Sequence, residues 1–271
     1  MSNIIRITLA KEPVEVDCLY PQTEAFLAPY CVSGDGETEG DRDIGSEQNG
    51  SESEPIRVKV LPEELTREQN TSDRAHDRDG SPRVTWPPEY LERLAVYRQI
   101  AEAMPERGIV LMHGSVIAVD DEAYLFTAIS GTGKSTHTKR WRELFGDRAQ
   151  MINDDKPLIR IEKDRVLACG TPWDGKHHLS TNKCVPLKAI CFLNRGEKNE
   201  IHPIDPMEKY PTLVQQTYRP SDPVALGQTM KLIDLLMRSV SFYDLYCNMD
   251  IEAAKVAFAG MNQKEEPGTD E

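Results

Sequence analysis

Apolar positions along the chain follow two periods, and the change between them marks out the elements. NIIRITL at 3–9 reads as a strand, with a second running through 14–18. Ile56-Arg57-Val58-Lys59-Val60 alternates apolar and basic residues, which predicts a short strand. Trp86-Pro87-Pro88 breaks the chain. Leu91, Leu94, Tyr97, Ala101 and Met104 then recur at spacings of three and four, one face of a helix closed by Pro105 and Gly108. Short apolar runs with tight turns follow. Strands are predicted over 110–113, 116–119 and 123–129, with a turn at Asp120-Asp121-Glu122. A Gly-rich turn at 130–135 opens a helix that buries Trp141, Leu144 and Phe145. A further strand is expected to begin at Met151-Ile152 and end in Asn153-Asp154-Asp155, with others over 157–161 and 166–169 as a hairpin, and over 189–193. The end of the chain reads helix (223–238), strand (240–246), helix (250–261), with Leu232, Leu235, Leu236 and Met237 as core positions.

The polar stretches carry the charge. The formal net charge is −13. Residues 34–54 hold eight acids against one arginine, 63–81 six against three, and 263–271 four against one lysine, so the rest of the chain is neutral. Residues 33–55 offer almost nothing to bury and are expected to be disordered, as is the acidic tail. The expected division is therefore a small β-rich region (1–83) with an acidic insertion, a main domain (84–262) and a tail (263–271). Such acidity argues against nonspecific nucleic-acid binding. No apolar run is long enough to cross a bilayer, and MSNIIRITLA lacks a basic stretch followed by an apolar core, so a cytoplasmic protein is expected. The six cysteines form no C-x-x-C pair, which predicts free thiols rather than zinc or a disulfide framework.

The candidate chemistry begins at the strand, turn and helix start of 123–136. Gly131 and Gly133 allow backbone conformations that point successive N–H groups inward, and the helix starting near Lys134 adds its positive dipole end. Lys134 can reach β- and γ-phosphates, Ser135 can ligate Mg²⁺, and Thr136 is placed to support an α-phosphate. Ser130 and Thr132 complete the loop. Ala128 stands where the full G-x-x-x-x-G-K-[ST] pattern has its first Gly. Asn153-Asp154-Asp155 then ends a strand. One aspartate there suffices for metal, and the second points to accepting a proton from an attacking hydroxyl. Neighbouring side chains on a regular strand face opposite ways, so the strand must already be ending for both to reach one site.

His113-Gly114, Ser130-Gly131-Thr132-Gly133-Lys134-Ser135 and Asp154-Asp155 together resemble the catalytic domain of HPr kinase/phosphorylase. Phosphoenolpyruvate carboxykinase shares the loop and the paired aspartates. The resemblance covers roughly 109–200. Departures are Thr136, where HPr kinases usually have Glu, and the absence of their Arg-Gly-rich segment after the aspartates; small bacterial HPr-kinase-related proteins are more similar. It implies an α/β fold: a P-loop, HPr-kinase/PEP-carboxykinase-like sheet core with a small β-rich N-terminal appendage. It also implies ATP and Mg²⁺ as cofactors.

His113 is read either as a core histidine or as the partner that orients an aspartate, which the resemblance favours. Gly170–Asn182 is dense in polar groups, and Lys176 or His177 is a candidate contact for phosphate or acceptor. Arg195 is a candidate to stabilise a transferring phosphoryl group, or else a turn residue. Lys139, Arg140 and Arg142 are expected on a solvated helix face, with His137 exposed beside them. The expected activity is ATP- and Mg²⁺-dependent transfer to a serine-type hydroxyl of a protein, peptide or small molecule. Ser135 and Asp155 would hold the metal and Asp154 would serve as base. The alternatives are a nucleotide-binding regulatory protein without transferase activity and a simple NTPase. Expected partners are the nucleotide and that acceptor, with homo-oligomerisation allowed and neither nucleic acid nor membrane.

Overall fold

A computed structural model describes residues 3–32 and 53–263. The expectations of disorder therefore lie outside the described residues, apart from 53–55 and Gln263. Contacts divide the chain into two units, Met1–Ile100 and Ala101–Glu271.

In the first unit, β1 (Asn3–Leu9) and β2 (Glu12–Cys18) form a hairpin and β3 (Ile56–Lys59) adds in parallel to β2. The hairpin turn places Ala10 and Lys11 at φ of 50° and 68°, the left-handed pair whose twist matches the flanking strands. Among the described residues three α-helices accompany the sheet: α1 (Pro21–Leu27), α2 (Pro62–Asp79) and α3 (Pro88–Ala103), the last running into the second unit. The helix α2 forms in a stretch whose polar sequence carries no apolar stripe. Glu64 caps the helix start by accepting the Leu61 N–H at 2.9 Å, and Gly80 closes the end in the left-handed conformation. Arg98 of α3 binds Glu68 at 2.6 Å and Glu64 at 2.8 Å. This helix is thus held by charge pairing that a search for apolar periodicity does not register. The same contacts tie α3 to the first unit, which runs to Ile100.

The second unit carries β4 (Ile109–Leu111), β5 (Ser115–Val119), β6 (Glu122–Thr127), α4 (Lys134–Phe145), β7 (Ala149–Asn153), β8 (Leu158–Ile161) and β9 (Val166–Cys169). It continues through β10 (Cys184–Arg195), β11 (Glu200–Pro203), α5 (Tyr210–Gln216), α6 (Pro223–Ser239), β12 (Ser241–Cys247) and α7 (Ile251–Met261). The fold is mixed α/β. The main ladder runs β7-β5-β6-β10-β12-β11, and β9, β8 and β4 continue from the first residues of β10. Of these elements, β11 and α5, like α1 in the first unit, carried no recognised sequence pattern.

Successive residues of the central strands serve opposite faces. Leu125, Ile190 and Val116 pack with Ile233 and Leu236 of α6, while Tyr124, Phe126, Cys191 and Ile117 pack with Trp141 of α4 and Ala254 of α7. Trp141 is fully buried, its ring centroid 4.9 Å from Tyr124 and 5.2 Å from Phe126. Leu235, expected in the core, is half exposed because α6 turns it away from the Leu232–Ile233–Leu236 stripe. Cys169 and Cys184, expected as free thiols, are register partners on β9 and β10 and form a disulfide. Among the described residues no helix is long and apolar enough to cross a membrane.

Candidate active site at the strand ends

The strands β6, β10 and β12 are parallel, and β7 runs the same way because both it and β6 are antiparallel to β5. Four strand ends therefore open on one edge of the sheet, the edge where α/β folds place ligands. The segments that follow them are 128–133, 154–155, 196–199 and 248–250, and β5 begins there at Ser115, with His113-Gly114 just ahead of it.

After β6 the chain turns through Gly131 at φ 81° and Gly133 at φ 119° and enters α4. A Cβ at either glycine would meet nothing within 4 Å, so the requirement for Gly there is the left-handed backbone rather than crowding. Ala128 keeps a negative φ and is buried, so a side chain is accommodated where the fuller motif has Gly. Gly133 caps α4 without a side-chain hydrogen bond, leaving the amides of the first turn facing the loop. Such an arrangement suits an anion. Arg195, at the end of β10, donates from Nη2 to the Gly131 carbonyl oxygen at 2.7 Å, which brings its guanidinium against the loop.

Lys134 is buried, and its Nζ donates to the Ala128 carbonyl oxygen at 3.1 Å. Burial pulls its pKa below the ordinary lysine value; Asp155 and Asp154 oppose that pull and Lys156 adds to it. The ammonium thus sits in the field of the acid pair.

The pair reaches the site because Asn153 bends the chain. Its Oδ1 accepts the N–H of Asp155 at 2.8 Å and of Lys156 at 2.6 Å, a side-chain turn that ends β7. Its Nδ2 donates to the Thr171 carbonyl oxygen at 2.9 Å. Asp154 is buried and accepts from Ser115 Oγ at 2.6 Å. Ser115 Oγ lies 3.2 Å from Thr138 Oγ1, which itself donates to the carbonyl oxygens of Lys134 and Ser135 at 3.3 Å. Asp154 is therefore tied to the first turn of α4, where Ser135 stands.

Asp155 is more open, with its side chain 35% exposed. His113 Nε2 lies 3.3 Å from its Oδ1 and Lys156 Nζ 3.7 Å away. Burial raises the Asp155 pKa, but the hydrogen bond from His113 and the charges of Lys156, His113 and Lys134 outweigh it and hold the carboxyl below its ordinary range. The other nitrogen of His113, Nδ1, is 2.7 Å from Gln216 Oε1. His113 is thus a partner of an aspartate rather than a core histidine.

The segment between β9 and β10 passes beside Asp155. A Cβ added to Gly175 would come within 3.3 Å of the Asp155 Cβ. Disulfide Cys169–Cys184 and the Gly170 N–H to Lys183 oxygen bond at 3.0 Å tie its base, and the Thr171 hydroxyl donates to the Lys156 carbonyl oxygen at 2.8 Å. Lys176 and His177 lie on its Gly175–His177 turn and are exposed.

A cavity of about 520 Å³ opens beside the loop, bounded by Gly131–Gly133, the start of α4 and the ends of β10 and β12. His137 borders it. The sequence reading expected this histidine to be exposed, but it is 4% exposed, because 134, 137, 138 and 141 form the buried stripe of α4. Its Nε2 accepts the Trp141 indole N–H at 3.0 Å, and burial drives its pKa down to about 3.

The structure thus brings together Ser130–Thr136, Lys134, Asp154, Asp155, His113 and Arg195. Sequence reasoning missed Ser115, Thr138, Asn153, Gln216 and the placement of His137. An Asn immediately before two Asp was a legible turn signal; the others become neighbours only through pairing of distant strands and helices.

No family model matches the chain. A search of curated proteins finds no match either. Among solved structures, the Hpr(Ser) kinase/phosphatase from Coxiella burnetii is similar, with a TM-score of 0.32 and 12% identity over 55% of this chain and 95% of that one. At that TM-score the likeness carries no argument, and the geometry of the site stands on its own.

Proposed function

We propose that this chain binds ATP with Mg²⁺ and transfers its terminal phosphoryl group to a serine-type hydroxyl of a protein, peptide or small molecule. The observation that carries the reading is the glycine loop with Lys134 set against Asp154 and Asp155 at a shared edge of the sheet, with His113 behind Asp155.

Among the described residues no group of three His, Cys, Asp or Glu could hold a metal ion by itself. Mg²⁺ bound with a nucleotide takes one or two carboxylates, a hydroxyl and phosphate oxygens, so Ser135 and the acid pair fit it. Bound there, Mg²⁺ supplies charge neutralisation on the phosphates. Lys134 and the loop amides hold the phosphates in place, and Arg195 adds positive charge at the rim.

We assign the two aspartates in the reverse of the order expected from the sequence. Asp154 is buried and tied through Ser115 and Thr138 to the turn that carries Ser135, a setting that supports metal holding. Asp155 is open to an incoming hydroxyl, and the groups around it keep it ionised, a setting that supports proton acceptance. His113, held by Gln216, orients the carboxylate and can share the proton. Most of the acceleration would come from positioning and electrostatics.

The test is incubation with labelled ATP, Mg²⁺ and a panel of serine-bearing peptides, read by mass spectrometry. Phosphoserine on a peptide is expected. ATP binding without transfer to any acceptor would leave a regulatory nucleotide-binding protein, and ADP release without acceptor a simple NTPase.

A further inference from the structure

The cavity beside the loop has a composition that phosphate does not need. Neither aspartate borders it. Leu193, Cys247 and Met249 give it soft apolar surface, and the glycine loop forms one wall. The two arginines at its margin are already engaged: Arg195 on the Gly131 carbonyl oxygen, and Arg140 on the Met249 carbonyl oxygen at 2.7 Å and Glu143 at 2.7 Å. At about 520 Å³ it falls within the range of small-molecule sites, which combine apolar walls with a few placed polar groups.

One polar residue that lines it has a fixed character. The Trp141 indole N–H can only donate, so His137 Nε2 must be the acceptor in their 3.0 Å bond. Nε2 therefore carries a lone pair, and the ring proton sits on Nδ1 of a neutral imidazole. Among the described residues Nδ1 has no partner. A neutral N–H on a ring more than nine-tenths buried, bordering an apolar cavity, matches an uncharged acceptor such as a ring nitrogen or a carbonyl oxygen.

We propose that this cavity receives the nucleoside half of the nucleotide, with His137 Nδ1 donating to an acceptor atom of the base. The phosphates would run from there along Gly131–Ser135 toward Lys134 and the acid pair. The assignment rests on the phosphate-loop reading and adds to it a site for the base, with His137 as a specificity-determining residue.

Binding of Mg-ATP and of Mg-tripolyphosphate to the full chain separates the two claims. The expected result is ATP binding at least about tenfold tighter than tripolyphosphate, since one buried hydrogen bond and the apolar contact are absent from the latter. His137→Phe keeps a ring against Phe126 and removes the donor, and is expected to lower the ATP-to-tripolyphosphate affinity ratio by up to about tenfold. Because that variant also deprives Trp141 of its acceptor, a second measurement uses the wild-type chain. Photolysis with an azido-adenine analogue of ATP should label peptides containing 193–196 or 247–249. Equal affinity for the two ligands, or labelling confined to other segments, overturns the base site while tripolyphosphate binding keeps the phosphate loop. Failure of both ligands to bind removes the loop reading and the base site together.

Discussion

His113 stands between two elements, its Nε2 3.3 Å from Asp155 Oδ1 and its Nδ1 2.7 Å from Gln216 Oε1. One imidazole thus joins the residue ahead of β5, the turn after β7 and the end of α5. The Asp155 carboxyl is held below its ordinary pKa of 3.8, so the proposed base is ionised throughout the neutral range. A lowered native pKa means that this group's stabilising contribution is complete above the ordinary value and is lost as pH falls through the native one. Replacing His113 by Phe removes a hydrogen bond that favours the charged form. The acid limb of the transfer rate should then move to higher pH, as a pH–rate profile would show. An unmoved limb would exclude His113 as the partner that sets Asp155.

The two aspartates should separate by readout. Asp155→Asn is expected to cut phosphoryl transfer by roughly 10²–10⁴-fold with ATP binding retained. Asp154→Asn should raise the Mg²⁺ concentration needed for half-maximal nucleotide binding. If Asp155→Asn transfers at the wild-type rate, the base is elsewhere.

Lys134→Ala removes the ammonium that the loop and the acid pair share. Loss of a charge-assisted contact to phosphate should weaken ATP binding roughly 10- to 100-fold, measured by titration calorimetry. Tripolyphosphate should weaken in parallel, because the contact is to phosphate.

Gly170 has no room for a side chain: an added Cβ would overlap the Thr181 carbonyl oxygen and lie 2.7 Å from that of Ile152. Gly170→Ala should destabilise the second unit by about 1–3 kcal/mol in chemical denaturation. Since Thr171 next to it fixes Asn153, transfer activity should fall as well.

Cys169 and Cys184 close a loop with a sequence separation of 15. Changing both to Ser should cost about 3 kcal/mol if the bond acts by restricting the unfolded chain. Peptide mapping without reductant should find the two cysteines linked. Two free thiols there would refute the prediction.

Much of the sheet was legible because its strands are short and obey period two or run apolar throughout. The hairpin β8–β9 and helices α6 and α7 fell within a residue or two of their expected ends, and α4 starts at Lys134 as expected, since Gly, Pro and Asp mark these boundaries. The helix α2 was not legible, because its partners are Glu64, Glu68 and a distant Arg98 rather than an apolar stripe. The pairing of Cys169 with Cys184 was not legible either, since spacing carries no register.

The sequence by itself determined the glycine loop, the lysine and hydroxyl that follow it, and the paired acids. These depend on local backbone freedom and residue chemistry, which a linear string records. Only the tertiary structure decided which aspartate is buried against α4 and which is backed by His113. It also turned His137 inward beside a cavity. Those outcomes depend on the direction and register of strands far apart in the chain, set by burial of two sheet faces at once.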